Sequence, residues 1–235
     1  MQISVNSFVI FIDMKKYAVI VAGGMGLRMG SFTPKQFLAL KGKPILWYTL
    51  NAFLEAYADL QIILVLPEEH FETGEALIKS FDDHYRIQLV KGGKTRFHSV
   101  QNGLQSVKND SIVFVHDGVR CLVTKHLIYR CYEEALLKGS AVPAVAATDS
   151  IRIAEDGKSS VIDRNKVRII QTPQTFRSDI LLAAFQQTFD EKFTDEATVV
   201  EASGQIIFLV EGEYDNIKIT RPVDLLVAEK ILEER

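Results

Sequence analysis

Cysteine is scarce in this chain: only Cys121 and Cys131 occur in 235 residues, with no Cys-x-x-Cys pair. That excludes a disulfide framework and a thiolate zinc site, and it suits a reducing, cytoplasmic setting. Charge of one sign is scarce too. The net charge of −3 argues against the broad basic face of a nucleic-acid binder, so no nucleic-acid partner is expected. No apolar run reaches the length of a membrane span, and no membrane partner is expected either. Residues 1–13 include Phe8-Val9-Ile10-Phe11-Ile12 but lack a basic leader and a small-residue cleavage site. Met14-Lys15-Lys16 stands directly before the first strand-like run. We therefore expect residues 1–13 to be a poorly ordered extension, or one preceding the natural start, that carries no site. Residues 14–235 are expected to form a single domain.

Two common nucleotide signatures are also missing. A P-loop needs G-x-x-x-x-G-K-[ST], and no such run follows Gly23, Gly24 or Gly26. A dinucleotide fingerprint needs G-x-G-x-x-G/A and an acid about twenty residues on. Here Gly24-x-Gly26 is followed by Met29 in the third place, and the acid gives way to Lys41-Gly42-Lys43-Pro44. This weakens a dinucleotide oxidoreductase.

What is present is a glycine turn directly behind the apolar run Tyr17 to Val21: Ala22-Gly23-Gly24-Met25-Gly26-Leu27-Arg28-Met29, followed by Pro34-Lys35. Without Cβ atoms the backbone can turn sharply and approach a ligand closely. Successive N–H groups in such a turn form a concave anion site. Arg28 and Lys35 then bring two cations to the same place. This combination suits a triphosphate cradle, and it resembles the G-x-G-x-R-M…P-K signature of nucleotidyltransferases acting on sugar or polyol phosphates.

Strand-like runs at 17–21, 61–66, 86–90, 111–116, 140–146 and 205–210 alternate with helical patterns. The helical patterns fall at 45–57, 68–80, 96–107, 124–138, 178–188, 195–203 and 222–233. The alternation predicts an α/β fold, a Rossmann-like, mostly parallel twisted sheet flanked by helices. One segment breaks the rhythm. Residues 150–162 read as a β-hairpin around Glu155-Asp156-Gly157-Lys158, a protruding arm over about 148–166. An isolated two-stranded ribbon is marginal in water, so we expect it to pack against a second subunit.

Ligands of open α/β sheets gather beyond the carboxyl ends of the strands, and the polar clusters fall there. Gly92-Gly93 closes the third strand ahead of a helix whose first turn holds Arg96 and Ser99. Its N–H groups are placed to meet a base or a phosphate, or the pair is a simple turn. His116-Asp117-Gly118-Val119-Arg120 closes the fourth strand. Asp117 could hold substrate hydroxyls or a metal-bound phosphate, or only pair with Arg120. His116 reads as a structural strand-end residue. Taken alone, Arg164 and Lys218 are equally readable as surface charges.

A resemblance resolves these alternatives. The glycine turn, Pro34-Lys35-Gln36-Phe37, Gly92-Gly93, Val115-His116-Asp117-Gly118-Val119-Arg120, Asp163-Arg164-Asn165, Thr172-Pro173-Gln174, Thr194-Asp195-Glu196-Ala197 and Asp215-Asn216-Ile217-Lys218-Ile219-Thr220 occur in that order. Together, over about residues 16–232, they resemble the 2-C-methyl-D-erythritol 4-phosphate cytidylyltransferase family. The resemblance implies CTP and methylerythritol phosphate as substrates, with Mg²⁺ held mainly by the CTP phosphates and no protein metal site. It implies transition-state stabilisation by Arg28 and Lys35, and positioning of the acceptor phosphate by Arg164 and Lys218. Asp117, Arg120, Ser150 and Thr194 resemble acceptor-binding positions. Ala22, Gly23, Gly24, Gly26, Gly93 and Ser99 resemble CTP contacts. It further implies a homodimer through the arm, with Ser150 and Arg164 serving the neighbouring protomer's site.

Three positions depart from the family pattern: Cys121 stands for a usual Pro, Ser150 for a common Thr, and Lys94 for a frequent acid. Lys94 bears on how the base is read. A sister family acting on ribitol 5-phosphate shares several motifs, but Asp163-Arg164-Asn165 and the run from Asp215 to Pro222 favour the methylerythritol enzyme. A non-catalytic nucleotide-binding module would be expected to lack Arg28 or Lys35, and both are present.

Overall fold

The structure, a computed structural model, describes residues 14–24 and 33–235. The expected extension at 1–13 lies outside the described residues, as do Gly26 and Arg28. In chain order the strands are β1 Lys15–Val21, β2 Ala39–Leu40, β3 Lys43–Pro44, β4 Gln61–Leu66, β5 Ile87–Lys91 and β6 Ser111–Asp117, then β7 Ser140–Ala146, β8 Ile151–Glu155, β9 Lys158–Ile162, β10 Arg168–Ile170, β11 Gln174–Arg177 and β12 Leu209–Glu211. The helices are α1 Ile45–Ala56, α2 Phe71–Ile78, α3 Arg96–Leu104, α4 Lys125–Lys138, α5 Ser178–Ala184, α6 Glu196–Ala202 and α7 Pro222–Glu234.

The central sheet runs β10-β7-β11-β6-β1-β4-β5, with β12 pairing alongside β7. The strands β6, β1, β4 and β5 are parallel neighbours. The near-continuous apolar sequences of β6, β1 and β4 follow from burial on both faces, whereas β5 carries exposed Gln88 and Lys91. Side chains alternate across a strand, so Ala18, Ile20, Ile62, Leu64, Ile112 and Phe114 pack with α1, α2 and α4 on one face. Val19, Ile63, Val65, Val113 and Val115 pack with α3, α5 and α6 on the other. This is the expected layered α/β architecture.

The short β2–β3 pair and two strands of the central sheet have no counterpart in the sequence pattern. β11 inserts antiparallel between β6 and β7, and β10 runs antiparallel along β7. They are three or four residues long and carry Gln174, Thr175 and Arg168, so no apolar run marks them. The sheet is thus mixed on one side of β6. Other bounds also contract: the 68–80 pattern divides into a 3₁₀ turn at Glu68–His70 and α2, and the last strand is only Leu209–Glu211. The arm appears where expected, as a separate two-stranded sheet of β8 and β9 with mostly exposed residues.

Candidate active site

The site begins where β1 and β6 end side by side. Gly118 donates to the Val21 carbonyl at 2.9 Å, and Ala22 donates to the Val65 carbonyl at 3.0 Å. A Cβ on Gly118 would lie 2.8 Å from the Ala22 Cβ, so glycine is what lets the two strand ends close up. Ala22 is buried here, and Gly23 and Gly24 after it are exposed. Lys35 lies in a 3₁₀ turn, Lys35–Phe37. Its stem passes Gly24, where a Cβ would stand 3.6 Å from Lys35 Cε. Its ammonium donates to the Ile219 carbonyl at 3.4 Å. Lys35 is therefore joined at once to the glycine turn and to the segment carrying Lys218.

Asp117 is the centre of the charged cluster. Its Oδ1 accepts from Arg96 Nε at 3.3 Å and from the terminal nitrogen Nη2 at 3.2 Å. Its Oδ2 lies 2.8 Å from Lys218 Nζ and 3.8 Å from Arg120 Nε. Burial alone would raise the Asp117 pKa, but Arg96, then Lys218 and Arg120, hold it well below the usual carboxylate range. Asp117 is ionised at any physiological pH. Arg120 also donates to the Asn216 carbonyl at 2.8 Å, and Ile219 N–H donates to the Val119 carbonyl at 3.0 Å. These bonds fasten the 215–220 segment to the end of β6.

Sequence reasoning noted Arg96 only as a first-turn helix residue and assigned it no role. Thr95 caps α3 by accepting from His98 N–H, which sets Arg96 at the helix start. Arg96 then forks onto Glu196, with Nη1 on Oε1 and Nη2 on Oε2, the latter at 3.1 Å. Glu196 is fully buried; burial pushes its carboxyl up and the Arg96 charge opposes that rise. The pair spans a hundred positions of chain, so no local pattern could reveal it. Its one signal was Glu196 inside the Thr194-Asp195-Glu196-Ala197 motif. Thr194 is exposed two residues before Glu196. Asp195 caps α6 in a capping box and accepts from Gln174 Nε2 at 2.8 Å, which pins that helix to β11.

Gly93 is equally constrained, since a Cβ there would lie 2.4 Å from the His98 Cβ. Its N–H donates to Ser99 Oγ at 3.0 Å, and Ser99 Oγ donates to the Thr95 carbonyl at 3.0 Å. Ser99 thus shapes the Gly92-Gly93 turn. Lys94 is exposed directly beside it.

His116 proves structural, as its strand-end position suggested. Its Nε2 donates to the Arg120 carbonyl at 3.1 Å, so Nδ1 accepts from the Thr172 hydroxyl at 2.9 Å. Burial pushes its pKa down to about 4, so it stays neutral. Cys121 is buried among Leu40, Ile45 and Leu122, where it fills core space. Ser150 and Arg164 stand apart at the base of the arm. Both are exposed, and Arg164 donates to the Thr148 carbonyl at 2.9 Å. The chain therefore unites Lys35, Asp117, Arg120 and Lys218 beside the glycine turn, with Gly93, Ser99 and Thr194 carried on the flanking elements. Among the described residues, no hydrogen bond or ion pair joins Arg164 or Ser150 to that cluster.

Known proteins share this sequence pattern and fold. The family model described as 2-C-methyl-D-erythritol 4-phosphate cytidylyltransferase matches residues 16–234. The Bacteroides thetaiotaomicron protein of that name is 46% identical over 221 residues, covering 93% of this chain and all of the relative. Its Bacteroides fragilis counterpart is 45% identical over 219 residues, with 93% and 100% coverage. Among solved structures, 4-diphosphocytidyl-2C-methyl-D-erythritol synthase from Anaerococcus prevotii superposes with a TM-score of 0.80 at 26% identity, covering 94% of this chain and 99% of that one.

Proposed function

The chain belongs to the 2-C-methyl-D-erythritol 4-phosphate cytidylyltransferase family, and from that premise we propose that it transfers CMP from CTP to 2-C-methyl-D-erythritol 4-phosphate. The products are 4-CDP-2-C-methyl-D-erythritol and diphosphate, a step of the non-mevalonate isoprenoid pathway. An acceptor phosphate oxygen bonds to the α-phosphorus of CTP, and the bond from that phosphorus to the bridging oxygen breaks. The electron pair leaves with diphosphate. A phosphate monoester is largely deprotonated at neutral pH, so no general base is required, and neutral His116 is not asked to be one.

The observation that carries this reading is the convergence of two ammonium groups at one strand edge. Lys35 is anchored on the Ile219 carbonyl, and Lys218, the preceding residue, is anchored on Asp117. Both reacting partners are anionic, so fixed cations that meet them there lower the barrier through electrostatic preorganisation. In our reading Lys35 and Arg28 stabilise the charge developing at the α-phosphate. The glycine turn from Ala22 to Gly26, with Gly93 and Ser99, holds the nucleotide. Asp117, Arg120 and Thr194 meet the acceptor's hydroxyls, while Lys218 orients its phosphate.

Mg²⁺ belongs to this reading only as a companion of the triphosphate. Among the described residues no group of three His, Cys, Asp or Glu side chains could hold a metal ion. Both Asp117 oxygens already face cations. The described residues do not fit a protein-held metal, and a divalent ion carried on phosphate oxygens would shield the triphosphate charge.

We assign the arm to a homodimer. It leaves the sheet at Ala146 and returns at Arg168, both of which line a groove of about 790 Å³ with Leu209, Glu213 and Tyr214. Val161 and Ile153 lie exposed on opposite faces of the ribbon. A two-fold axis would set each arm on the partner's groove reciprocally and bring Ser150 and Arg164 to the neighbouring site. The free, buried thiols of Cys121 and Cys131 fit a cytoplasmic setting, and residues 14–235 are read as one domain.

The test is a diphosphate-release assay with CTP and each of two acceptors. Turnover is expected with 2-C-methyl-D-erythritol 4-phosphate. Turnover with ribitol 5-phosphate alone would overturn the assignment. Arg164→Ala is expected to raise the Michaelis constant for the acceptor, and unchanged kinetics would remove Arg164 from the site.

A further inference from the structure

The fork between Arg96 and Glu196 ties together three elements that carry different parts of the site. Arg96 opens α3, beside the Gly93–Ser99 turn. Glu196 opens α6, just after Thr194. Arg96 Nε, together with Nη2, which the two carboxylates share, reaches Asp117 at the end of β6. Arg96 therefore sits between two carboxylates, and Asp117 sits between Arg96 on one oxygen and Lys218 on the other. We propose that Glu196 is a positioning residue: by holding both terminal nitrogens of Arg96, it keeps Asp117 shared with Lys218 and so holds the Lys218 ammonium where the acceptor phosphate arrives. This rests on the transferase reading for the identity of the acceptor, but not for the charge arrangement itself.

Arg96, Arg120 and Lys218 face Asp117 and Glu196. Three cations against two carboxylates leave one net positive charge. Neutralising Glu196 leaves two, in a place largely removed from solvent screening. The cation with an exit is the one that yields. The Lys218 side chain is 40% exposed, against 29% for Arg96 and 13% for Arg120. Arg96, released from Glu196, turns its whole fork to Asp117, because a planar guanidinium binds a carboxylate through two parallel bonds. Lys218 is thereby displaced toward water. Glu196 itself touches no substrate in this scheme; it acts two contacts away.

The experiment compares wild type with Glu196→Gln, which keeps the shape of the side chain but not its charge. Labelling of Lys218 by an amine-reactive reagent, read by peptide mass spectrometry, is expected to rise at least threefold, with exposed Lys79 and Lys108 as unchanged references. In parallel, kcat/KM for the acceptor phosphate is expected to fall about tenfold while the KM for CTP stays within about twofold. That split is one that general loosening of the fold would not give. Unchanged Lys218 labelling, or equal losses for both substrates, would overturn the proposal.

The double variant Arg96→Met with Glu196→Gln guards against a misfolded single variant. It removes the pair as a unit, which buried pairs tolerate better than loss of one partner. The net charge then returns to one, and Lys218 labelling is expected at or below the wild-type level. Labelling that stays high in the double variant would also overturn the proposal. If wild type turns over neither acceptor, the transferase assignment falls. The labelling arms still decide the role of Glu196.

Discussion

The two edges of the central sheet both bury cations, but they balance them differently. At the amino edge, Lys16 lies 2.9 Å from Asp59, donates to the Met14 carbonyl at 3.3 Å, and stands over the Tyr57 and Tyr132 rings at 5.1 and 5.2 Å. Nearby, Arg86 donates to the carbonyls of Tyr57, Leu54 and Leu60 at 2.8, 3.0 and 3.4 Å, and it pairs with Asp83 at 2.5 Å. Two cations there meet two carboxylates. At the carboxyl edge, three cations share Asp117 and Glu196, and Lys35 stands beside them. Burial of charge is thus common to both edges. Of these two clusters, the one with surplus positive charge lies beside Gly24, and it is there that we propose the anion site.

The comparison predicts that amino-edge changes cost stability and carboxyl-edge changes cost chemistry. The largest effect is expected from Arg86→Met, which removes the donor to the Leu54, Tyr57 and Leu60 carbonyls. Denaturant unfolding should show a loss of about 3–5 kcal/mol, with kcat unchanged per folded molecule. A fall in kcat of folded protein would blur the distinction. Lys35→Ala should do the reverse. A loss of one transition-state donor corresponds to roughly 10²–10³ in kcat, or about 3–4 kcal/mol, with little change in the unfolding midpoint.

A third prediction follows from His116, which belongs to the scaffold although it sits at the chemical edge. Its folded pKa, about 4, lies below the ordinary histidine value of 6.5. The unfolded chain therefore takes up this proton first as pH falls, and stability is lost through the window from about 6.5 to 4. Between pH 7 and 4.5 the loss amounts to about 2–3 kcal/mol. Unfolding curves of wild type and His116→Gln at both pH values should differ by that slope. Parallel curves would place the acid sensitivity elsewhere. The smallest effect is expected from Lys16→Met. The thioether chain can keep much of the packing on Tyr57 and Tyr132, and Asp59 is half-exposed and stays hydrated. The cost should be about 1 kcal/mol.

The same contrast explains what could be read from the sequence. Strands β1, β4 and β6 are runs of Ile, Val, Leu and Phe, because parallel strands buried on both faces need them. Glycines mark the turns after β1, β5 and β6. Lys35, Asp117, Arg120 and Lys218 were legible through motifs beside those turns, and the arm through its polar turn at Glu155-Asp156-Gly157-Lys158. What escaped was carried by tertiary pairing. β11 owes its place to ladder bonds with β6 and β7, and Gln174 owes its burial to Asp195 and the N–H of Ala197. The Arg96–Glu196 fork joins two helix starts a hundred residues apart. At both edges a buried ion pair was invisible until the chain had folded.

The most direct test of the surplus-charge account is the single-turnover rate of CMP transfer in Lys35→Ala against Lys16→Met, each measured per folded molecule with CTP and 2-C-methyl-D-erythritol 4-phosphate. The account predicts a fall of about 10²–10³ for the first variant and an unchanged rate for the second. Equal rates in the two variants would contradict it.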